Sequence, residues 1–224
     1  LAGAGAGGSG SGSELCPAGA AGHRRATNAG DDALAEGRLD EAEACYRAAL
    51  EHKADFPMAF FGLGEVAAAR GDHKRAAAEL QAATEAWPEY VGAFTRLGEV
   101  NAVLGKRKRA AAAFKAALAV DRTHVLAHEG LGRLHADSGR LELAEATYRA
   151  ALLSVAEASP GLVYGHARVL GLLGRHAECV SAHDRASVLA PDFGMPHHGA
   201  GLCLEALGRA PEALERFREA ARLE

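Results

Sequence analysis

Three groups of residues in this chain have the types that chemistry uses. His176, Cys179 and His183 stand at i, i+3 and i+7, which on a helix gathers two imidazoles and a thiol on one face, as a metal site would require. Lys106, Arg107, Lys108 and Arg109 form an unbroken basic run, and residues 91 to 124 hold seven Lys or Arg against two acids. Such a local field suits an acidic partner, a phosphate or an import receptor, although a solvated turn is the simpler reading and no interleaved aromatics offer base stacking. The third group is a recurring series of charges, Asp31, Glu65, Glu99, Arg133 and Arg168, whose sign changes midway. No Ser/His/Asp arrangement, phosphate-cradling glycine loop or carboxylate pair stands clear of the pattern described next. The sequence therefore offers no catalytic residue and no cofactor, and the chain is expected not to be an enzyme.

The elements that position these groups are set by a repeat. Along Pro57 to Tyr90, with Pro57 as position 1, Phe60, Leu63, Gly64, Ala67, Gly71, Ala76, Leu80, Ala83 and Pro88 fall at positions 4, 7, 8, 11, 15, 20, 24, 27 and 32. Gly30, Gly64, Gly98 and Gly132 are spaced by 34 residues, and Gly37, Gly71, Gly105 and Gly139 run beside them. One residue, Ser159, is inserted before the register resumes with Ala167 and Gly174, then Gly201 and Gly208. Six repeats follow, at 23–56, 57–90, 91–124, 125–158, 160–193 and 194–224. Spacings of three and four put Phe94, Leu97, Gly98 and Asn101 on one face of a first helix, where glycine lets a neighbour approach closely. The second glycine ends that helix in a left-handed conformation. In the second helix a small residue precedes a large one by a turn: Ala42/Tyr46, Ala76/Leu80, Ala110/Phe114, Ala144/Tyr148, Cys179/His183 and Ala213/Phe217. Cys179 and His183 thus occupy packing positions, no fourth ligand has helix spacing, and no metal is expected.

These positions resemble the tetratricopeptide repeat. The resemblance implies an all-α fold, a right-handed α-solenoid of six stacked helix-turn-helix repeats, because no unit can bury its apolar face alone. It also implies binding on the concave face lined by the first helices. Position 9 supplies Asp31, Glu65, Glu99, Arg133, Arg168 and Leu202, and position 5 supplies Thr27, Phe61, Thr95, Glu129, Tyr164 and His198. The expected groove residues are Asp31, Phe61, Glu65, Thr95, Glu99, Glu129, Arg133, Tyr164, Arg168 and His198, acidic at the amino-terminal half and basic at the other, suited to a peptide or partner helix of opposite polarity. The bland alternative is a freely charged solvated face. Two family modes fail here. No repeat combines the Lys and Asn of a carboxylate clamp, and Gly62, Gly130, Gly165 and Gly199 stand where an asparagine ladder would need Asn. The function implied is a non-catalytic protein-interaction scaffold; the alternative is the substrate-recognition arm of a larger enzyme of glycosyltransferase or sulfotransferase type.

Composition sets the outer bounds. The 224 residues are 49% hydrophobic but 5% aromatic, and 25 basic against 29 acidic residues leave −4, so no bulk nucleic-acid or membrane affinity is expected. Cys16, Cys45, Cys179 and Cys203 lie far apart without a C-x-x-C pair, which argues for free thiols in a reducing, cytoplasmic setting. Residues 1–22 read as a Gly/Ala/Ser-rich flexible linker, whether an engineered leader or a natural tether. The first repeat has a weak first helix and is expected to fray. The last leaves Leu214, Phe217 and Ala221 uncovered, which leads to an expectation of more chain or of self-association through that end.

Overall fold

The computed structural model describes residue 16 and residues 22–155 and 157–223; apart from Cys16 and Gly22, the expected linker lies outside them. Among the described residues all regular structure is α-helical. The helices are α1 (His23–Ala35), α2 (Leu39–His52), α3 (Pro57–Ala69), α4 (His73–Ala86), α5 (Val91–Val103), α6 (Arg107–Val120), α7 (Val125–Asp137), α8 (Leu141–Ser154), α9 (Pro160–Leu172), α10 (His176–Leu189), α11 (Gly194–Ala206) and α12 (Ala210–Arg222). Every odd-numbered helix starts on the first residue of a sequence repeat. Pro57 and Pro160 open α3 and α9, where the missing N–H is no loss and φ is already helical. Ser159, the inserted residue, caps α9 by accepting the Leu162 N–H at 3.0 Å. Each odd-numbered helix stops at a glycine with φ between 69° and 79°, a conformation that a β-carbon would strain.

The helices form two compact units, Leu1–Gly105 with α1 to α5 and Lys106–Glu224 with α6 to α12. In both, an aromatic ring from an even-numbered helix is clasped between glycines. Tyr46 is fully buried, and a β-carbon on Gly30 or Gly62 would come within 3.0 Å of its ring. In unit 2, Tyr148 lies likewise between Gly132 and Gly165, Phe114 against Gly130, His183 against Gly199 and Phe217 against Gly201. The expected small partners, Ala42, Ala110, Ala144 and Cys179, are all buried beside them. Position 6 is therefore glycine wherever the preceding repeat sends a ring toward it; after Leu80 it is Arg96.

Two glutamates bind successive repeats together. Glu43 on α2, its side chain 10% exposed, pairs with Arg47 (2.7 Å), Arg75 (2.5 Å) and Arg70. Burial pushes its carboxyl up, but the hydrogen bonds from Arg75 and Arg70 prevail and hold it below the ordinary value. Glu145 on α8, its side chain 9% exposed, gathers Arg149 (3.5 Å), Arg175 (3.3 Å) and His166 (3.6 Å).

The cysteines depart from the sequence expectation. Cys16 is bonded to Cys45, and Cys179 to Cys203, leaving no free thiol among the described residues. The second bridge joins α10 to α11 at buried positions. The first joins the segment before α1 to α2, so the repeat expected to fray carries a covalent clasp in addition to the His23–Phe56 ring contact at 4.6 Å. Spacing misled because residues 24 apart meet through packing of adjacent helices, and residues 29 apart where the segment before α1 lies against α2. The argument for a reducing compartment rested on free thiols and gives way with them. No helix among the described residues is long and apolar enough to cross a membrane.

Candidate functional site

In unit 1, α1, α3 and the turn after α4 surround a cavity of about 480 Å³. Phe61 stands on α3 with its ring 5.2 Å from Tyr90, and Tyr90 lies 5.0 Å from Trp87. Trp87 and Met58 are 40% and 44% exposed at its rim, and Arg24 and Asp31 face it from α1. One Asp31 oxygen accepts the Tyr46 hydroxyl at 2.7 Å, so the clasped ring of the core also orients the acid of the cavity. Burial, then the Asp31 and Glu65 charges, push the Tyr90 phenol up; it stays neutral and available as a hydrogen-bond donor.

The structure brings together Asp31 and Phe61 of the expected groove and adds Trp87 and Tyr90, which the sequence reading did not single out. The remaining expected acids of unit 1, Glu65 and Glu99, are engaged. Arg96 reaches back to Glu65 at 2.6 Å and forward to Glu99 at 2.9 Å. Thr95 is buried and donates its hydroxyl to the Val91 carbonyl at 2.9 Å, so it presents nothing to a partner.

Unit 2 differs in sign. Arg133 and Arg168 are exposed, and neither forms an ion pair among the described residues. The Arg168 guanidinium lies 5.9 Å over the Tyr164 ring, which meets Phe193 edge-on at 5.5 Å. Glu129 is turned to an internal task, accepting the Ser159 hydroxyl at 2.6 Å. His198 is exposed, with its ring 5.5 Å from Phe217. Tyr148, beneath these charges, is pushed up to about 12, chiefly by burial.

Of the other chemical candidates, the His176, Cys179 and His183 trio does not form a ligand set. The Cys179 sulfur is bonded to Cys203, and the His183 ring is held between Gly199 and Tyr164 in the core. Burial, then the charges of Arg168 and His198, push His183 down to about 4. Lys106, Arg107, Lys108 and Arg109 are exposed where α6 begins, and Arg107 and Lys108 border a second cavity.

Comparison with known proteins bears on the scaffold. The family model for the tetratricopeptide repeat matches residues 27–91 and 95–162. A comparison with curated protein sequences finds no match. Among solved structures, PilF of Pseudomonas aeruginosa is similar at TM-score 0.77, with 15% identity over 90% of this chain and 91% of that one. MamA is similar at 0.65, with 21% identity over 75% and 91%. YrrB, described as a repeat protein with an unusual peptide-binding site, is similar at 0.63, with 18% identity over 80% and 92%. At such identities the likeness is one of fold.

Proposed function

Because this chain belongs to the tetratricopeptide repeat family, we propose that it is a protein-interaction scaffold whose unit 1 captures a basic side chain of a peptide partner. The observation that carries the reading is the cavity in which Phe61, Trp87 and Tyr90 stand around Asp31. Aromatic faces attract a cation by about 0.5–2 kcal/mol and also accept the methylene stem of Lys or Arg. Asp31 supplies the counter-charge, with one oxygen already aligned by Tyr46. Glu65 and Glu99 share the single charge of Arg96, which leaves a net −1 between them, and each contributes less than Asp31. In unit 2, the unpaired Arg133 and Arg168 beside Tyr164 suit an acidic or aromatic segment. The reading is of binding surfaces and assigns no catalytic step. YrrB's described peptide-binding site makes such a use of the fold familiar.

Trp87 is the single tryptophan of the chain and lies in the cavity, so its fluorescence reports occupancy. A library of short peptides with one Lys or Arg flanked by apolar residues should shift that emission saturably, and acidic counterparts should not. Asp31→Asn and Phe61→Ala should each weaken the response about tenfold. Equal responses to basic and acidic peptides, or full retention in Asp31→Asn, would remove the proposal.

A further inference from the structure

A second cavity, of about 460 Å³, lies in unit 2 between α6 and α7 and is bounded by the turn into α8. Arg107, Lys108 and Lys115 border it from α6, and Arg140 from the turn, with Ala111 in its wall. No Asp or Glu borders it. None of the four cations has an ion-pair partner among the described residues. All four are exposed, so water screens their mutual repulsion, and an anion between them would lower it further.

The chain itself shows what belongs there. Residues 43, 111 and 145 hold the same repeat position, two periods and then one period apart. At 43 and 145 that residue is a buried glutamate drawing three basic side chains around it; at 111 it is alanine. The surrounding cations persist. Lys115 stands in register with Arg47 and Arg149, and Arg140 with Arg175, which are the groups that hold Glu43 and Glu145. Arg107 and Lys108 add two more. The third repeat thus sets cations where the first and fourth repeats hold a carboxylate, with alanine at 111 as at 77.

His135 adds an imidazole to the same wall. It is 7% exposed as a residue and borders the cavity. Burial, followed by the Lys115 and Arg140 charges, pushes it below its ordinary value, so at neutral pH it offers one ring N–H to an acceptor. The cap residue of α6, Lys106, makes no side-chain cap bond, and the free N–H groups of the first turn favour an anion on the same side.

We infer that this cavity binds a small phosphate-bearing molecule, its phosphate standing where the Glu43 and Glu145 carboxylates stand in the first and fourth repeats. Arg107 and Arg140 provide planar forks that match phosphate oxygens, Lys108 and Lys115 add point charges, and His135 completes the set from below. The volume is that of a small-molecule site, and four cations exceed what one carboxylate needs, which favours a multiply charged phosphate. The site lies apart from the aromatic cavity of unit 1 and does not depend on the peptide reading.

Calorimetric titration of the full chain with inorganic phosphate, pyrophosphate and a phosphoserine peptide tests this. Pyrophosphate should bind more tightly than phosphate, and its affinity should fall with added salt. Ala111→Glu places the carboxylate of the other two repeats in the cavity; it should fold at least as well as the parent and weaken pyrophosphate binding about tenfold or more. The exposed double variant Lys115→Gln with Arg140→Gln should do the same without filling the space. Absence of binding by either inorganic probe would overturn the inference, and binding unchanged in both variants would place the anion elsewhere. Binding of the phosphoserine peptide alone would overturn it in favour of a protein partner.

Discussion

Replacing Gly62 by Ala probes the clasp that fixes both the core of unit 1 and the acid of its cavity. A β-carbon at residue 62 would lie within 2.6 Å of three atoms of the Tyr46 ring, whereas carbon atoms meet at about 3.5–4.0 Å. The ring or α3 must therefore yield by about 1 Å. The ring has little freedom, because Gly30 also stands close to it and its hydroxyl is bonded to Asp31. With that little freedom the upper end of overpacking costs applies, about 2–3 kcal/mol, and a helical glycine changed to alanine returns about 1 kcal/mol, so a net loss of about 1–2 kcal/mol is expected. The second repeat supplies the compensating change, since Leu80 replaces the ring there and Arg96 follows at the position of Gly62. Tyr46→Leu alone opens space and abandons the Asp31 bond, at about 1–3 kcal/mol. The two changes together should recover about 1 kcal/mol relative to their sum. Urea unfolding followed by circular dichroism measures all four species. Strict additivity, or Gly62→Ala as stable as the parent, would refute the steric argument.

Other consequences follow from single features. His183 is pushed down to about 4 from 6.5, so between these values the unfolded chain binds the extra proton and stability falls as pH is lowered through that window. The loss should approach about 2–4 kcal/mol below pH 4, and His183→Phe, which mimics Phe114, should lack it in urea midpoints measured against pH. Removing the Cys16–Cys45 bridge, which spans 29 residues, by Cys16→Ser should cost about 3–4 kcal/mol in the chain-entropy treatment. Reductant should lower the parent's melting temperature toward that of the variant, and no change on reduction would refute it. Arg96→Ala releases Glu65 and Glu99 and should tighten binding of a basic peptide to unit 1 about twofold to fivefold in the Trp87 titration, an increment typical of half-exposed charges.

The scaffold was legible in the sequence because its signals are local. A two-helix unit of fixed length requires a left-handed glycine at the same place in each repeat, and Gly37, Gly71, Gly105, Gly139, Gly174 and Gly208 mark it without reference to the rest of the chain. The small and large packing positions were readable for the same reason. What stayed hidden depended on side-chain reach between repeats. Arg96 lay outside the expected groove residues, yet its length lets it bridge acids on α3 and α5, so the acidic half of the face is partly offset. Glu129 and Thr95 had the right register and were drawn into internal bonds. Trp87 and Tyr90 fall at no position that the repeat singles out, yet the turn they occupy folds back against Phe61.

Departures from the repeat thus carry more functional information than conformity to it, and they are of two physical kinds. Where a departure is compensated by a neighbour, as when Leu80 accompanies Arg96 or Cys179 meets Cys203, the pair preserves packing and signals structure. Where the neighbours match those of a carboxylate elsewhere in the chain but no carboxylate stands between them, as with Lys115 and Arg140 around Ala111, the charge is left without a partner within the described residues. All four cations are exposed, so water screens their repulsion, and what sets this place apart is that four cations and no carboxylate border one cavity. An external anion is the group that would complete that arrangement.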